Sequence, residues 1–359
     1  MIDVGTKGQR KQQTHTCDTL KEAKDLRTRM LADKNAGKVV KRDPVDFNTL
    51  ATRWLAGRHD VREITRVGYD YVLRAVREEI GTTRVQDITR ADVDAMIKIL
   101  QSRGAGHRGI VYTLGTLRQV LAYGCVEGLL AVNVAASVKA PRKAHSDART
   151  VEVWDPEHLD AFKVLSDQEP LEWAVAWRLT LCGLRRSEVL GLSWDAVDLD
   201  RGEITVRAGR VLLGDGRTTV DDPKSAASWR TIAVEETQPG TVAMLRALKA
   251  HQAAQRLALG GWPTHGLLVV NDEGLPVRPE MHSDRFHALT RVAGLPRVRL
   301  HAIRHSLGLV MHYAGVAPVD AAAFLGHSLE THIATYLPRS ERGARSAAAA
   351  LGRAMTRAM

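Results

Sequence analysis

Gly183-Leu184-Arg185-Arg186-Ser187-Glu188 is the stretch on which the fold and the chemistry of this chain turn. Upstream of it, Trp173, Trp177 and Leu181 recur at four-residue spacing, the period of one helix face. Glycine is the usual residue just past a helix end, so Gly183 is expected to close that helix. Leu190, Leu192 and Trp194 then supply the apolar contacts of a second helix. Arg185 is left at the junction between the two, where a guanidinium can be held with its fork outward. Such a fork matches two non-bridging oxygens of a phosphate. An ion pair with Glu188, three residues on, is the competing use of the same side chain.

Three more clusters follow downstream. Pro223-Lys224-Ser225 lies just before a strand candidate, Trp229 to Val234, so Lys224 falls in or beside a hairpin turn. A lysine there can reach into a site and deliver a proton, or it can simply be solvated. His301-Ala302-Ile303-Arg304-His305 places positions 301, 304 and 305 on one helical face. Two histidines at this spacing invite a zinc reading. The metalloprotease motif needs a glutamate where Ala302 stands, Arg304 would repel a metal, and no third ligand is in view. No metal is therefore expected. Finally, a helix carrying Val319 and Ala322 runs to Leu325 and is closed by Gly326, which leaves His327 at a turn. Tyr336 follows nine residues after His327, on or near a helix over 331–337, where a packed tyrosine with a local partner is the plainer alternative.

The surroundings of these clusters set the organisation. The chain has 359 residues, 44% hydrophobic and 26% charged, as expected for ordinary globular cores. Aromatic residues make up only 5%, so base-stacking platforms are not a main device. Lys and Arg outnumber Asp and Glu by 51 to 41, giving +10 and a pI near 9.7. That surplus favours a polyanionic partner, because neutralising phosphates releases counterions. Residues 1–43 carry a basic patch with Lys7, Arg10 and Lys11, then a helix from Leu20 to Asn35 with Thr19 and Glu22 as a capping box. Residues 46–136 show four amphipathic helices, with Asn48 and Thr89 as caps of the first and third. Residues 137–149 are a basic linker with Pro141, Arg142 and Lys143. Residues 150–359 begin with helices, continue through strand candidates at Ile204–Val206 and Arg210–Leu213 to the strand at Trp229, and return to helices. The fold class is mainly α with a small antiparallel β-sheet, preceded by an all-α four-helix unit. Three scattered cysteines, Cys17, Cys125 and Cys182, fit a reducing cytoplasm. The start lacks the apolar core of a secretory signal, and no stretch has the ~20 apolar residues of a membrane span.

Taken together, GLRRSE at 183–188, PKSAASWR at 223–230, HAIRH at 301–305 and LGHSLETHIATY at 325–336 resemble the tyrosine recombinases of the phage-integrase type. The resemblance covers nearly the whole chain from about residue 44. It implies that 150–359 is a catalytic domain, that 46–136 is a helical core-binding domain, and that 1–43 is part of an arm-type DNA-binding segment whose first strands are absent. It implies site-specific recombination, with Tyr336 attacking a DNA phosphate and leaving a 3′-phosphotyrosyl bond. Arg185 and Arg304 would stabilise the phosphate charge, Lys224 would protonate the departing 5′-oxygen, His301 would assist deprotonation of Tyr336, and His327 would donate to a phosphate oxygen. Duplex DNA and a homotetramer are the implied partners, with DNA-bending or directionality factors beside them and no cofactor. Arg108 and Arg118 are candidates for base contact. Two departures stand out: Ala302 replaces the usual Asp after the first His, and Pro338 replaces the His that often follows the nucleophile. A catalytically inactive DNA-binding remnant of a prophage integrase is the rival reading.

Overall fold

The computed structural model describes residues 2–3, 12–13, 16–35, 43–142, 152–207, 209–212, 218–221, 229–261 and 266–336, with isolated residues between 345 and 355. Lys7, Arg10, Lys11, Lys143 and Lys224 fall outside them. The chain divides into two units, one up to Arg149 and one from Thr150.

The first unit opens on strands β1 (Ile2–Asp3) and β2 (Gln12–Gln13), paired antiparallel, and helix α1 (Leu20–Asn35). The sequence pattern gave no strand ahead of this helix. Each of the two strands is two residues long, too short for side-chain alternation to register in the sequence. The Glu22 amide donates to Thr19 Oγ1 at 3.2 Å, one half of the expected capping box. Helices α2 (Phe47–Ala56), α3 (Glu63–Ile80), α4 (Arg90–Ser102) and α5 (His107–Val126) follow. The cap of α2 is Asp46, whose Oδ1 accepts from the Thr49 amide at 2.8 Å; Asn48 already lies inside the first turn. Thr89 caps α4 as expected, with Asp92 completing a reciprocal box. The apolar stripes of these helices meet in one core around Phe47, Leu50, Leu73, Val76, Leu114 and Leu117, all closed to solvent. Full burial of each such side chain is worth ~1.5–3 kcal/mol.

The second unit starts with α6 (Pro156–Ser166), α7 (Leu171–Leu181) and α8 (Arg186–Gly191). Short strands follow: β3 (Val197–Asp198), β4 (Glu203–Val206), β5 (Gly209–Leu212), β6 (Thr218–Asp221) and β7 (Arg230–Ala233). β3, β4 and β7 form one antiparallel sheet with β4 in the centre, and β5 pairs with β6. The last strand is shorter than the sequence implied. Trp229 is largely exposed ahead of it, and Val234 already opens the short helix α9 (Val234–Thr237). Then come α10 (Thr241–Ala258), α11 (Pro279–Val292), α12 (Ala302–Tyr313), α13 (Pro318–Leu325) and α14 (Leu329–Tyr336). In the tail, Arg345, Ala348, Ala349, Gly352 and Met355 are described, and they are helical, in keeping with the return to helices read from the sequence.

α7 organises this unit. Every residue from Ala174 to Leu181 is buried, as for a helix enclosed on all sides. Val175, Ala176 and Leu179 pack toward the sheet, while Trp177 and Leu181 pack toward α6, α11 and α12. Its cation Arg178 is compensated inside by both oxygens of Asp167 and by the Pro239 carbonyl. Gly183, at φ +85°, turns the chain at the end of this central helix, so the residues after it emerge at the heart of the unit.

Candidate active site

Arg185 is the residue immediately before α8. Its amide and Nη1 both donate to Glu188, at 2.8 and 2.5 Å. The ion pair weighed from the sequence is thus present. It uses only part of the guanidinium, because Nη2 donates to the Gly326 carbonyl at 2.5 Å. The Arg185 side chain keeps 29% of its surface exposed, so it is half-buried rather than fully outward.

Two more guanidiniums converge on the same turn. Arg304, on the first turn of α12, is buried, and its two terminal nitrogens donate to the carbonyls of Gly183 and Leu325. Arg230, at the start of β7, donates from Nε to the Phe324 carbonyl at 2.8 Å, and from Nη2 and Nη1 to the two oxygens of Glu188 at 2.9 and 3.2 Å. Three arginines from three separate elements therefore take the carbonyls of Phe324, Leu325 and Gly326 in succession. These are the orphan acceptors at the C-terminal end of α13, where the helix dipole is negative. Gly326 itself sits at φ +67°, and a Cβ there would lie 2.6 Å from Arg230 Nη1, so only glycine fits the turn.

Charge balance follows from this arrangement. Burial alone would raise the Glu188 carboxyl. The hydrogen bonds and charge of Arg230, and then the charge and amide of Arg185, outweigh burial and hold it at about 2. Among the described residues one carboxylate, Glu188, faces the three guanidiniums, an excess of positive charge suited to an anion. The neighbouring imidazoles feel it. Desolvation, then the charge of Arg304, brings both His301 and His327 down to about 4. His305 is lowered by the same two causes. Neutral imidazoles near pH 7 can each accept a proton on one ring nitrogen and donate from the other.

The sequence clusters are brought together in part. Arg185, Arg304 and His327 meet around the turn from α13 to α14, and His301 stands directly before α12 with its ring 5.2 Å from that of His305. His327 Nε2 lies 3.0 Å from Nδ1 of the buried His332, with the rings stacked. Tyr336 is the last residue of α14, on the helix that leaves this turn. The sequence reading overlooked Arg230 and His332 and gave Glu188 only the part of a competitor. Their burial was the missing signal, since an isolated charged residue reads as surface.

In the first unit, Arg108 is exposed and borders a groove of about 430 Å³ with Tyr69, Val111 and Tyr112. Arg142 is also exposed. Arg118 is bonded within its own unit. Its Nε donates to the Ala135 carbonyl at 3.0 Å and its Nη2 to that of Val138, which ties the turn at Val134–Ser137 to α5. A guanidinium committed to its own backbone is a structural brace. Among the described residues, no helix is long and apolar enough to cross a membrane.

Comparison with known proteins bears directly on this site. The phage integrase family model matches residues 166–342, a span that contains every residue of the cluster. Residues 166–342 belong to the phage integrase family. Its similarity to the ICEBs1 integrase of Bacillus subtilis (strain 168) is 25% identity over 244 residues, 67% of this chain and 64% of that one. The match thus spans less than two thirds of that curated relative. Among solved structures, the Tn1549 transposon integrase in complex with circular-intermediate DNA superposes with a TM-score of 0.70 at 16% identity, over 85% of this chain and 99% of that one. A lambda integrase tetramer bound to a Holliday junction gives 0.57 at 15% identity, over 86% of each chain. At such identities the likeness is one of fold: the phage integrase arrangement of a helical unit followed by an α-rich unit with a small antiparallel sheet.

Proposed function

We propose that this chain carries out site-specific recombination of duplex DNA, of the kind that integrates or excises a mobile element. The phenol oxygen of Tyr336 attacks a backbone phosphorus, and the bond from phosphorus to the 5′-oxygen breaks. The product is a 3′-phosphotyrosyl bond and a free 5′-hydroxyl. Attack by a 5′-hydroxyl from the partner duplex then reverses the chemistry and releases Tyr336, so the phosphodiester energy is conserved. His301 takes the phenol proton, which a group with a free pKa near ~10 does not give up readily at neutral pH. Lys224 supplies the proton to the departing 5′-oxygen. Arg185, the most accessible of the three arginines, meets a non-bridging oxygen. Arg304 adds charge from beneath and holds the two turns, and His327 donates a further hydrogen bond. Preorganised donors of this kind are worth roughly 3–4 kcal/mol each in other enzymes.

The observation that carries this reading is the convergence of Arg185, Arg230 and Arg304 on the end of α13, with the Glu188 carboxylate among them, one helix away from Tyr336. The net charge of +10 supports a DNA partner, with Arg108 and Arg142 as exposed contacts and Lys7, Arg10, Lys11 and Lys143 as further phosphate ligands. Two duplexes and four cleavages call for a tetramer on DNA in the cytoplasm of a bacterial host, with DNA-bending or directionality factors as accessory partners. The proteins solved as Tn1549 integrase with DNA and as a lambda integrase tetramer on a Holliday junction support that assembly.

The test uses a duplex selected by the full chain from a random pool and nicked so that the cleaved fragment diffuses away. Protein and DNA are run on a denaturing gel in EDTA. An adduct formed by the wild type and lost in Tyr336→Phe is expected. Specific binding with no adduct would turn the account toward an inactive DNA-binding remnant.

A further inference from the structure

We infer that Arg230 is a positioning residue for this transfer, setting the Arg185 fork and the His327 turn relative to one another. The inference rests on the recombination reading above and goes beyond it. Arg230 carries none of the roles assigned so far, yet its side chain is only 6% exposed, and among the described residues it is anchored at two places. One is the Phe324 carbonyl at the end of α13; the other is the full width of the Glu188 carboxylate. The same carboxylate holds Arg185, and Arg185 holds the Gly326 carbonyl. The contacts form a closed ring: Arg230 to Glu188, Glu188 to Arg185, Arg185 to Gly326, and two residues back along the chain to Phe324 and Arg230.

The ring explains why a guanidinium is required. An ammonium carries its three donors on a single nitrogen, whereas the planar fork meets the two carboxylate oxygens and the carbonyl from three separate nitrogens at fixed angles. It also fills the space that a Cβ on residue 326 would need, which couples the conformation of the His327 turn to the presence of Arg230. With Arg230 gone, Glu188 answers to Arg185 alone and can draw its fork away from a phosphate. Arg230 also opens the strand β7, six residues after Lys224 in sequence. It acts through these neighbours and need not touch the DNA.

The experiment compares Arg230→Lys and Arg230→Ala with the wild type as full chains. It uses the nicked duplex described above and reads single-turnover adduct formation at saturating protein, with the DNA Kd measured separately. Arg230→Lys is expected to form the Tyr336 adduct about tenfold more slowly or worse, with Kd within about threefold of wild type. Arg230→Ala is expected to be slower by about a hundredfold, with part of the rate restored by added guanidinium and none by methylammonium. A purely structural role would not give that selective rescue. Should Arg230→Ala fail to fold, the rate of Arg230→Lys carries the test. A rate for Arg230→Lys within about threefold of wild type overturns the inference, as does a loss confined to Kd. Absence of an adduct in the wild type would instead overturn the recombination reading, and this inference with it.

Discussion

Replacing Glu188 with glutamine changes one atom type at the centre of the arginine cluster. The carboxylate accepts from the Arg185 amide, Arg185 Nη1 and both terminal nitrogens of Arg230. The amide removes the negative charge and turns an NH2 toward one of those donors. Holding a carboxyl at about 2 instead of 4.5 corresponds to ~3 kcal/mol in favour of the ionised form. That agrees with the ~3–5 kcal/mol expected when one partner of a buried ion pair is removed. For a unit of this size the melting temperature should fall by about 6–12 °C. Tryptophan fluorescence is a suitable assay, because all the tryptophans except Trp54 lie in the second unit. The pH dependence has a definite sign. The folded pKa is depressed, so the stabilisation by Glu188 is complete above 4.5 and is lost as pH falls toward 2. The gap between wild type and Glu188→Gln should be full at pH 7 and smaller by ~1 kcal/mol at pH 4. A neutral-pH melt within about 2 °C of wild type, or a gap that widens in acid, would rule out this role for Glu188.

Gly326→Ala puts a Cβ at φ +67° and 2.6 Å from Arg230 Nη1, so it should destabilise by more than the ~1–2 kcal/mol of left-handed backbone alone; an unchanged melt would contradict the geometry. His282 is fully buried with neither ring nitrogen hydrogen-bonded, and burial, then the charge of Arg186, brings it to about 3. The unfolded chain therefore takes up a proton below 6.5 that the folded chain refuses, and stability should drop by ~2 kcal/mol from pH 7 to pH 5. That slope should flatten in His282→Leu; an equal slope in the two proteins would show that another group is responsible. Arg118→Ala should speed amide exchange around Ala135–Val138, each lost charged hydrogen bond being worth ~1.5–3 kcal/mol, and leave the salt dependence of DNA binding unchanged. Arg108→Ala should do the reverse, lowering the salt slope by about 1. A changed salt slope in Arg118→Ala would return that residue to the DNA interface.

The helices were legible wherever one face is apolar. The stripes Tyr69–Ile80, Val93–Leu100 and Ile110–Leu121 predicted α3, α4 and α5 because periodic burial leaves a periodic sequence. The chain turns at Gly183 and Gly326 were legible for a different reason, since left-handed backbone selects glycine. Short pairings were not legible. β1, β2 and β3 have two residues each, and pairing of that length is set by tertiary contacts. The cap of α2 was missed because Asp46 and Asn48 are equally good caps on paper; the pairing of Asp46 with Arg84 across an isolated bridge fixes the start two residues earlier. In the site, the arginines and histidines were found through their order along the chain. The closed ring through Arg230 was not, because it depends on contacts between residues 42, 94 and 141 positions apart, and separations of that kind leave no local pattern.

In the proposed reaction Tyr336 becomes covalently bonded to a 3′-phosphate of DNA. The most direct measurement is to trap the complex on a nicked, end-labelled duplex, digest protein and DNA, and locate the nucleotide-bearing peptide by tandem mass spectrometry. A nucleotide on Tyr336 is expected, joined through its 3′-phosphate, with a free 5′-hydroxyl on the other fragment. A nucleotide on any other residue, a 5′-phosphate linkage, or cleaved DNA with no protein attached would contradict it.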